Sequence, residues 1–497
     1  MSQQLIVGAS EGDLVIQLGN QSNRHGLIAG ATGTGKTVTL QILAEGFSRM
    51  GVPVFAADIK GDLSGISQAG KPHKEIDRRL SEIPLADYQQ RGYPTLFWDI
   101  YGRKGHPVRT TISEMGPLIL SNLLQLNDTQ TGVLYACFAV ADDQGMLLLD
   151  LKDLRSLLSW MGNNTKTLRS EYGNITSASV GAIQRRLLVL KEQGAERFFG
   201  EPALSIQDFM QRDFSGNGVI SLLSADRLTR EAPQLYATFL LWLLSELFEE
   251  LPEAGDLEQP KLVLFFDEAH LLFKGMPKAL LEKIEQVVRL IRSKAVGIYF
   301  VTQSPLDIPE SILGQLGLKI QHALRAYTPK DQRAIKAISQ SFRSDGKIKV
   351  KDVITQLGQG EALVSCLDDR GVPTVVAATL IRPPESRIGA ATAKERNSLR
   401  ERSPMKGRYE QKLDRHSAYE MLEERAAKAA ENAEREKARL ARDKEEAKAR
   451  KQKIARSRPR RSNRQGIGEA MMKSAARSIG RSLGTKLMRG ILGSLLK

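Results

Sequence analysis

Cysteine is nearly absent from this sequence. Its 497 residues hold two, Cys137 and Cys366, far apart and at no metal-ligand spacing. A disulfide framework and a thiolate zinc site are thereby excluded, and a reducing compartment fits. The six histidines are scattered, so they offer no metal cluster either. Long apolar runs are also missing. The greasiest stretch, "LYATFLLWLLSELF" from Leu235, is broken by Ser245 and Glu246 and is too short to span a bilayer. The opening "MSQQLIVGASEGD" has no basic segment followed by an apolar one, so no signal peptide is evident. A soluble, cytoplasmic protein without an integral membrane span is expected. Its 41% apolar residues suffice for one large domain or two ordinary ones.

The net charge of +15 is unevenly spread. From Glu385 to Lys497 there are 31 Lys and Arg against 15 Asp and Glu, an excess of 16, so the residues before Glu385 carry −1. The high charge therefore predicts no basic face on the folded part.

Residues 26–110 alternate short apolar runs ("GLIAG", "VPVFAAD", "TLFWDI") with helical patterns, the signature of a parallel sheet buried on both faces. From Ser113 to about Arg212 the pattern becomes helical. Strand-like runs return at "GVISLLS", "KLVLFFDEAH", "GIYFVTQ" and "LKIQHALRA", and "EALVSCL" with "TVVAATLI" form a closing pair before Pro383-Pro384. The expected division is a first part of an α/β core over 1–112, a helical insertion over 113–215, and the rest of the core over 216–384. A charged, solvated helix or linker follows over 385–465, then a basic amphipathic segment over 466–497. Between Leu422 and Ile454 only Leu440 could anchor a coiled coil, so the Ala-, Glu-, Lys- and Arg-rich stretch reads as a solitary helix. Its pairs Glu424/Lys428, Glu431/Arg435 and Glu446/Arg450 each add about 0.2–0.5 kcal/mol.

Three elements carry chemistry. Gly30-Ala31-Thr32-Gly33-Thr34-Gly35-Lys36-Thr37 is a full Walker A pattern between strand and helix, with Val38 next in the helix. The glycines let backbone N–H groups turn inward around a β-phosphate. Lys36 supplies a cation between the β- and γ-phosphates of ATP, Thr37 an oxygen for Mg²⁺, and the helix its positive end. "LVLFFDEAH" delivers Asp267 and Glu268 at the end of a buried strand. Asp267 suits the Mg²⁺ shell, and Glu268 the polarisation of an attacking water. "GIYFVTQS" ends a later strand at Gln303, which suits a sensor of the γ-phosphate or of that water, although many strands end in polar residues. This order indicates an α/β P-loop NTPase of the additional-strand, RecA/FtsK-like class, with an all-helical insertion and a charged helical tail.

Together, "NRHGLIAGATGTGKT", "DIKGDLSG", "LFFDEAHLLF" and the run from Ile291 to Asp331 resemble the HerA–FtsK superfamily of ring ATPases over most of residues 20–385. The resemblance implies a homo-oligomer, a hexameric ring, and in many members the pumping of double-stranded DNA. By that resemblance Arg292 reaches the γ-phosphate of a neighbouring subunit, and Arg24 senses nucleotide across or within the interface. Both also read as ordinary surface arginines. Asp58, Lys60 and Asp62 match a family motif near the site and receive no role. The Walker A loop is reached by residue 30, so the barrel that precedes the HerA motor is not expected. FtsK-type membrane anchors and a terminal DNA-reading domain are not expected.

Lys448 to Arg464 holds nine basic residues and no acidic one. Such a run fits either DNA phosphates or a solubilising linker, and it lacks aromatics for stacking on single strands. In the last segment Met472, Ala476, Ile479, Leu483 and Leu487 share one side of a helix weakened by six glycines. That segment suits peripheral contact with an anionic membrane or docking on the ATPase body. The expected function is Mg-ATP hydrolysis by a ring ATPase, with DNA translocation or helicase-like motion as output. The alternative is an ATP-switched assembly or membrane-surface factor with no DNA cargo.

Overall fold

Successive residues of a strand point to opposite faces, so apolar runs of four to seven residues need cover on both sides. The computed structural model, which describes residues 3–456 apart from 256, 275, 277, 326 and 327, meets that need with one large sheet. Its strands are β1 (Gln4–Ser10), β2 (Asp13–Leu18), β3 (Gly26–Ala29), β4 (Val54–Asp58), β5 (Thr95–Asp99), β6 (His106–Pro107), β7 (Ile220–Ser224), β8 (Leu262–Phe266), β9 (Val296–Thr302), β10 (Leu318–His322), β11 (Glu361–Ser365) and β12 (Ala377–Ile381). Their order across the sheet is β2-β1-β12-β11-β10-β3-β9-β8-β4-β7-β5-β6. From β10 to β6 all pairings are parallel, whereas β11, β12, β1 and β2 add an antiparallel margin.

Alternate residues feed two cores. Ile28, Val54, Ala56, Val263 and Phe265 pack against Leu40, Leu43 and Phe47 of helix 36–49. Leu27, Phe55, Leu264 and Phe266 face the other way, toward helix 233–250 and the insertion. The insertion contains helices 112–123, 128–143, 151–163, 165–172 and 177–192. Three of these start at reciprocal capping boxes, Thr111/Glu114, Asn127/Gln130 and Asp150/Asp153, which fix where each helix begins.

Two features depart from the sequence-based expectation. The alternation starts before Gly26, because β1 and β2 form a hairpin turned by Glu11 and Gly12, both at positive φ (52° and 93°). The boundary drawn at 384 is also displaced, since the compact unit extends to Glu423. Residues 385–423 are tied down at specific points, with stretches that bury no residue, such as helix 393–401, between them. Glu385 is fully buried and meets Arg49, Arg91 and Arg382 at 2.7, 2.7 and 2.9 Å. Glu45, in the helix after the Walker A loop, accepts from the Glu385 and Ser386 N–H groups at 3.0 Å each. Tyr409 is buried against the Trp98 ring, and Ser417 Oγ donates to Asp153 at 2.5 Å. Local charge is therefore a poor guide here, because its partners are distant in sequence.

Helix 418–456 then begins, and from Glu423 to Ala449 every residue is exposed, with Glu431 and Arg435 paired. No described helix is long and apolar enough to cross a membrane. Cys137 and Cys366 are buried free thiols. The end of the basic run and the segment over 466–497 lie outside the described residues.

Candidate active site

The Walker A loop joins β3 to helix 36–49 at the carboxyl edge of the parallel strands. Gly30, Gly33 and Gly35 adopt φ of 153°, 80° and 116°. Gly30 is also required by space, since a Cβ there would lie 2.5 Å from the Cβ of His322 on β10. The loop is fixed by Gly30 N–H to Thr302 O (3.3 Å), Ala31 N–H to Ala323 O (2.9 Å) and Thr34 Oγ1 to Ala31 O (2.7 Å). Helix 36–49 starts at Gly35 with no side-chain cap, so its first amides and positive end face an anion site. The Lys36 ammonium is buried and donates to Gly30 O (2.7 Å) and Ala31 O (3.0 Å). Burial holds it below the ordinary lysine range, and the charge of Lys60 adds to that.

β8 ends at Phe266 and places the acidic pair beside the loop. Asp267 is pushed up to about 7, first by burial and then by the neighbouring Glu268 charge. Glu268 adopts φ of 46°, a strained conformation for a non-glycine residue, and its N–H donates to Asp267 Oδ1 at 2.9 Å. Its Oε2 is buried 3.3 Å from His270 Nδ1, in ion-pair range without a hydrogen bond. One cleft is lined by Gly33, Gly35, Lys36, Thr37, Val38, Lys60, Asp267 and Gln359. Gln303 is exposed and lines the adjoining cleft with Ala31, Thr32 and His270. Its turn is pinned by Thr302 Oγ1 and Ser304 N–H donating to Asp307 Oδ2 at 2.7 and 3.1 Å.

Thr37 and Asp267 bring two oxygen donors to one cleft, and the described residues contain no cluster of three or more His, Cys, Asp or Glu. That donor set fits Mg²⁺, which keeps most of its water and takes few protein ligands, and would not fit a protein cage for Ca²⁺ or Zn²⁺.

Arg24 and Arg292 are brought together, but not at this cleft. They precede β3 and β9, whereas the Walker A loop and Gln303 follow those strands. At about 3.3 Å per residue, β9 alone separates Arg292 from Gln303 by roughly 20 Å, beyond the reach of an arginine side chain. Both line a groove with Arg289 and Glu310, and Arg24 lies against Gly371. Arg24 lines this groove and is absent from the lining of the cleft that holds Lys36, Thr37 and Asp267.

Three supporting residues escaped the sequence reading. His322 Nδ1–H donates to Glu361 O and its Nε2 accepts from Thr39 Oγ1, both at 2.9 Å, and burial lowers it to about 4, so a neutral imidazole backs the loop. Gln359 reaches the cleft on a turn whose Gly360 N–H donates to Thr34 O at 2.9 Å. Arg79 clamps that turn through Gln359 O and Gly360 O at 2.8 Å each. The Gly358-Gln359-Gly360 turn was a visible signal, but its partners were not.

A glycine-turned anion cradle and an acidic strand end, separated in the sheet by β9, define a P-loop NTPase of the additional-strand class. The helicase HerA-like C-terminal family matches residues 3–497, and the chain belongs to that family. A probable helicase of Methanocaldococcus jannaschii, MJECL08, is 32% identical over 139 residues, which cover 27% of this chain and only 25% of that relative. Among solved structures, plasmid coupling protein TrwB with the GTP analogue GDPNP aligns at TM-score 0.49 and 16% identity, covering 79% of this chain and 92% of that one. VirB4 of Thermoanaerobacter pseudethanolicus aligns at 0.49 and 17%, covering 78% and 98%.

Proposed function

We propose that this protein binds and hydrolyses Mg-ATP and works as a homo-oligomeric ring, a hexamer, with DNA as the cargo it moves. The observation that carries the ATPase reading is the sharing of one cleft by Lys36, Thr37 and Asp267, with Glu268 next in the chain. Backbone N–H groups of Gly33 to Lys36 cradle the β-phosphate, and Lys36 leaves its loop carbonyls to sit between β- and γ-phosphates. Mg²⁺, when bound, neutralises charge on those phosphates. Thr37 and Asp267 are the residues that hold it, which requires the Asp267 carboxyl to be ionised. Glu268 takes the proton of the attacking water, and Gln303 orients that water or the γ-phosphate. Arg24 and Arg292 line a groove other than their own cleft, which supports the ring as the setting in which either would reach a neighbour's nucleotide. The DNA reading rests on family membership and the basic run at 448–464. A body carrying −1 before Glu385 favours the second reading, an ATP-switched assembly or membrane-surface factor.

Turnover of ATP with and without long double-stranded DNA, at moderate salt, tests the proposal. Stimulation by DNA that Arg292→Ala abolishes is the expected result. Turnover indifferent to DNA keeps the ATPase and transfers the cargo to a protein or membrane client. Binding of anionic vesicles through the tail would then identify the second reading.

A further inference from the structure

The turn after β4 has no part in the scheme above, yet it is built with care. Asp58 ends β4 with a buried carboxyl that accepts from Leu63 N–H at 3.4 Å, while its carbonyl accepts from Ala225 N–H at 3.0 Å. Gly61 turns the chain at φ 76°, and Ser64 Oγ donates to its carbonyl at 3.2 Å. β4 pairs with β8 in parallel register, Ala56 opposite Phe265, so the residues just past β4 stand beside Asp267. At the tip, Lys60 is exposed but lines the same cleft as Gly33, Lys36, Thr37 and Asp267. No hydrogen bond or ion pair to a described residue holds its ammonium. Lys36, by contrast, is tethered to its own loop carbonyls.

We propose that Lys60 is a second phosphate-binding cation of this site, contacting the terminal phosphate of a nucleoside triphosphate from the β4 side. The inference rests on the ATP-site reading and extends it to a residue that reading does not use. Two ammonium groups, Lys36 and Lys60, line one cleft with the Asp267 carboxylate, which is the one suited to the metal, and Glu268 follows it in the chain. Paired ammonium groups beside a metal-binding carboxylate suit a polyphosphate, which stays anionic even with a divalent cation bound. Lysine's compact charge on a flexible stem can follow the terminal phosphate as it leaves. Position selects which phosphate. The Walker A amides and Lys36 surround the inner phosphates from the β3 side, whereas Lys60 enters beside the metal-holding Asp267, where the outermost phosphate lies. An ordinary solvated lysine would not distinguish a triphosphate from a diphosphate.

That distinction is the test. Binding of a non-hydrolysable ATP analogue and of ADP, each with Mg²⁺, is measured on the full chain as wild type, Lys60→Ala, Lys60→Arg and Lys36→Ala, with kcat and KM for ATP. The expected result for Lys60→Ala is about tenfold weaker analogue binding, ADP affinity within about twofold of wild type, and a kcat reduced about tenfold or more, the usual size for one charged donor. Lys60→Arg should recover most of the loss. Wild-type analogue affinity and kcat in Lys60→Ala, with Lys36→Ala impaired, would overturn the assignment while leaving the ATP site intact. Equal losses for ADP and analogue would also overturn it, since that pattern belongs to general charge or folding. A wild type that binds neither nucleotide would remove the underlying reading and this one with it.

Discussion

The two ends of the central strands differ in kind. At the carboxyl ends of β3, β8 and β9 the chain gathers a phosphate cradle, an acidic pair and an amide around adjoining clefts. At the amino ends of β3 and β9 it sets Arg24 and Arg292 in a groove lined also by Arg289 and Glu310. What the contrast teaches is that cations can be excluded from a site by the length of a strand. One end gathers the Walker A loop with Asp267, and the other sets two arginines in a separate groove.

The largest expected effect is at the first end. Glu268→Gln should lower ATP turnover about 10²–10⁴-fold with nucleotide binding retained, as judged by steady-state kinetics and ADP titration. Next, Arg292→Ala should lower turnover about 10³-fold, the lower end of the range for such arginines. Mixing the two inactive proteins should restore part of the activity, because one supplies an intact cleft and the other an intact arginine. Mixtures that stay inactive after subunit exchange would break the comparison.

A smaller effect is expected on stability, and both ends should show it. His25, before β3, accepts from Ile298 N–H through Nδ1 (3.0 Å) and donates to Val288 O through Nε2 (2.8 Å), and burial lowers it to about 4. His322, beside the cradle, is likewise lowered to about 4. Between pH 6.5 and 4 the unfolded chain protonates both while the folded protein does not, so stability present above 6.5 is lost as the pH falls. Each histidine should contribute on the order of 3 kcal/mol across that window. Urea midpoints at pH 7.5 and 5 measure the loss, and a flat profile would refute it. The smallest effect belongs to Arg24→Ala, whose side chain rests against Gly371. A fall in turnover of about fivefold is expected, and a loss equal to that of Arg292→Ala would show the two arginines to be one functional unit.

Much of this arrangement was legible in the residues. The Walker A spacing and the Asp267-Glu268 strand end identify their own chemistry, because glycine, lysine and paired carboxylates in those contexts have few other uses. The β-runs declared a doubly covered sheet through unbroken apolar character. What could not be read depends on contact between distant segments. His322 backs Gly30 across some 290 positions, Arg79 holds a turn at 358–360, and Lys60 shares a cleft with Asp267 only because β4 lies beside β8. Residues 385–423 misled for the same reason. Their charges look like solvation until Arg49, Arg91 and Glu45 are brought to Glu385 and Ser386.

Those residues also bear on how the protein can change over generations. The strap from Glu385 to Leu422 is a fixed measure of chain, anchored at the Walker A helix, at Trp98 and at Asp153, so an insertion or deletion within it would pull an anchor out of place. From Glu423 to Ala449 the helix buries nothing, and its length and wording there are free to drift as long as the composition stays helical. Among relatives, length variation should therefore begin abruptly after the position of Leu422, and not at the prolines that look like the end of the domain.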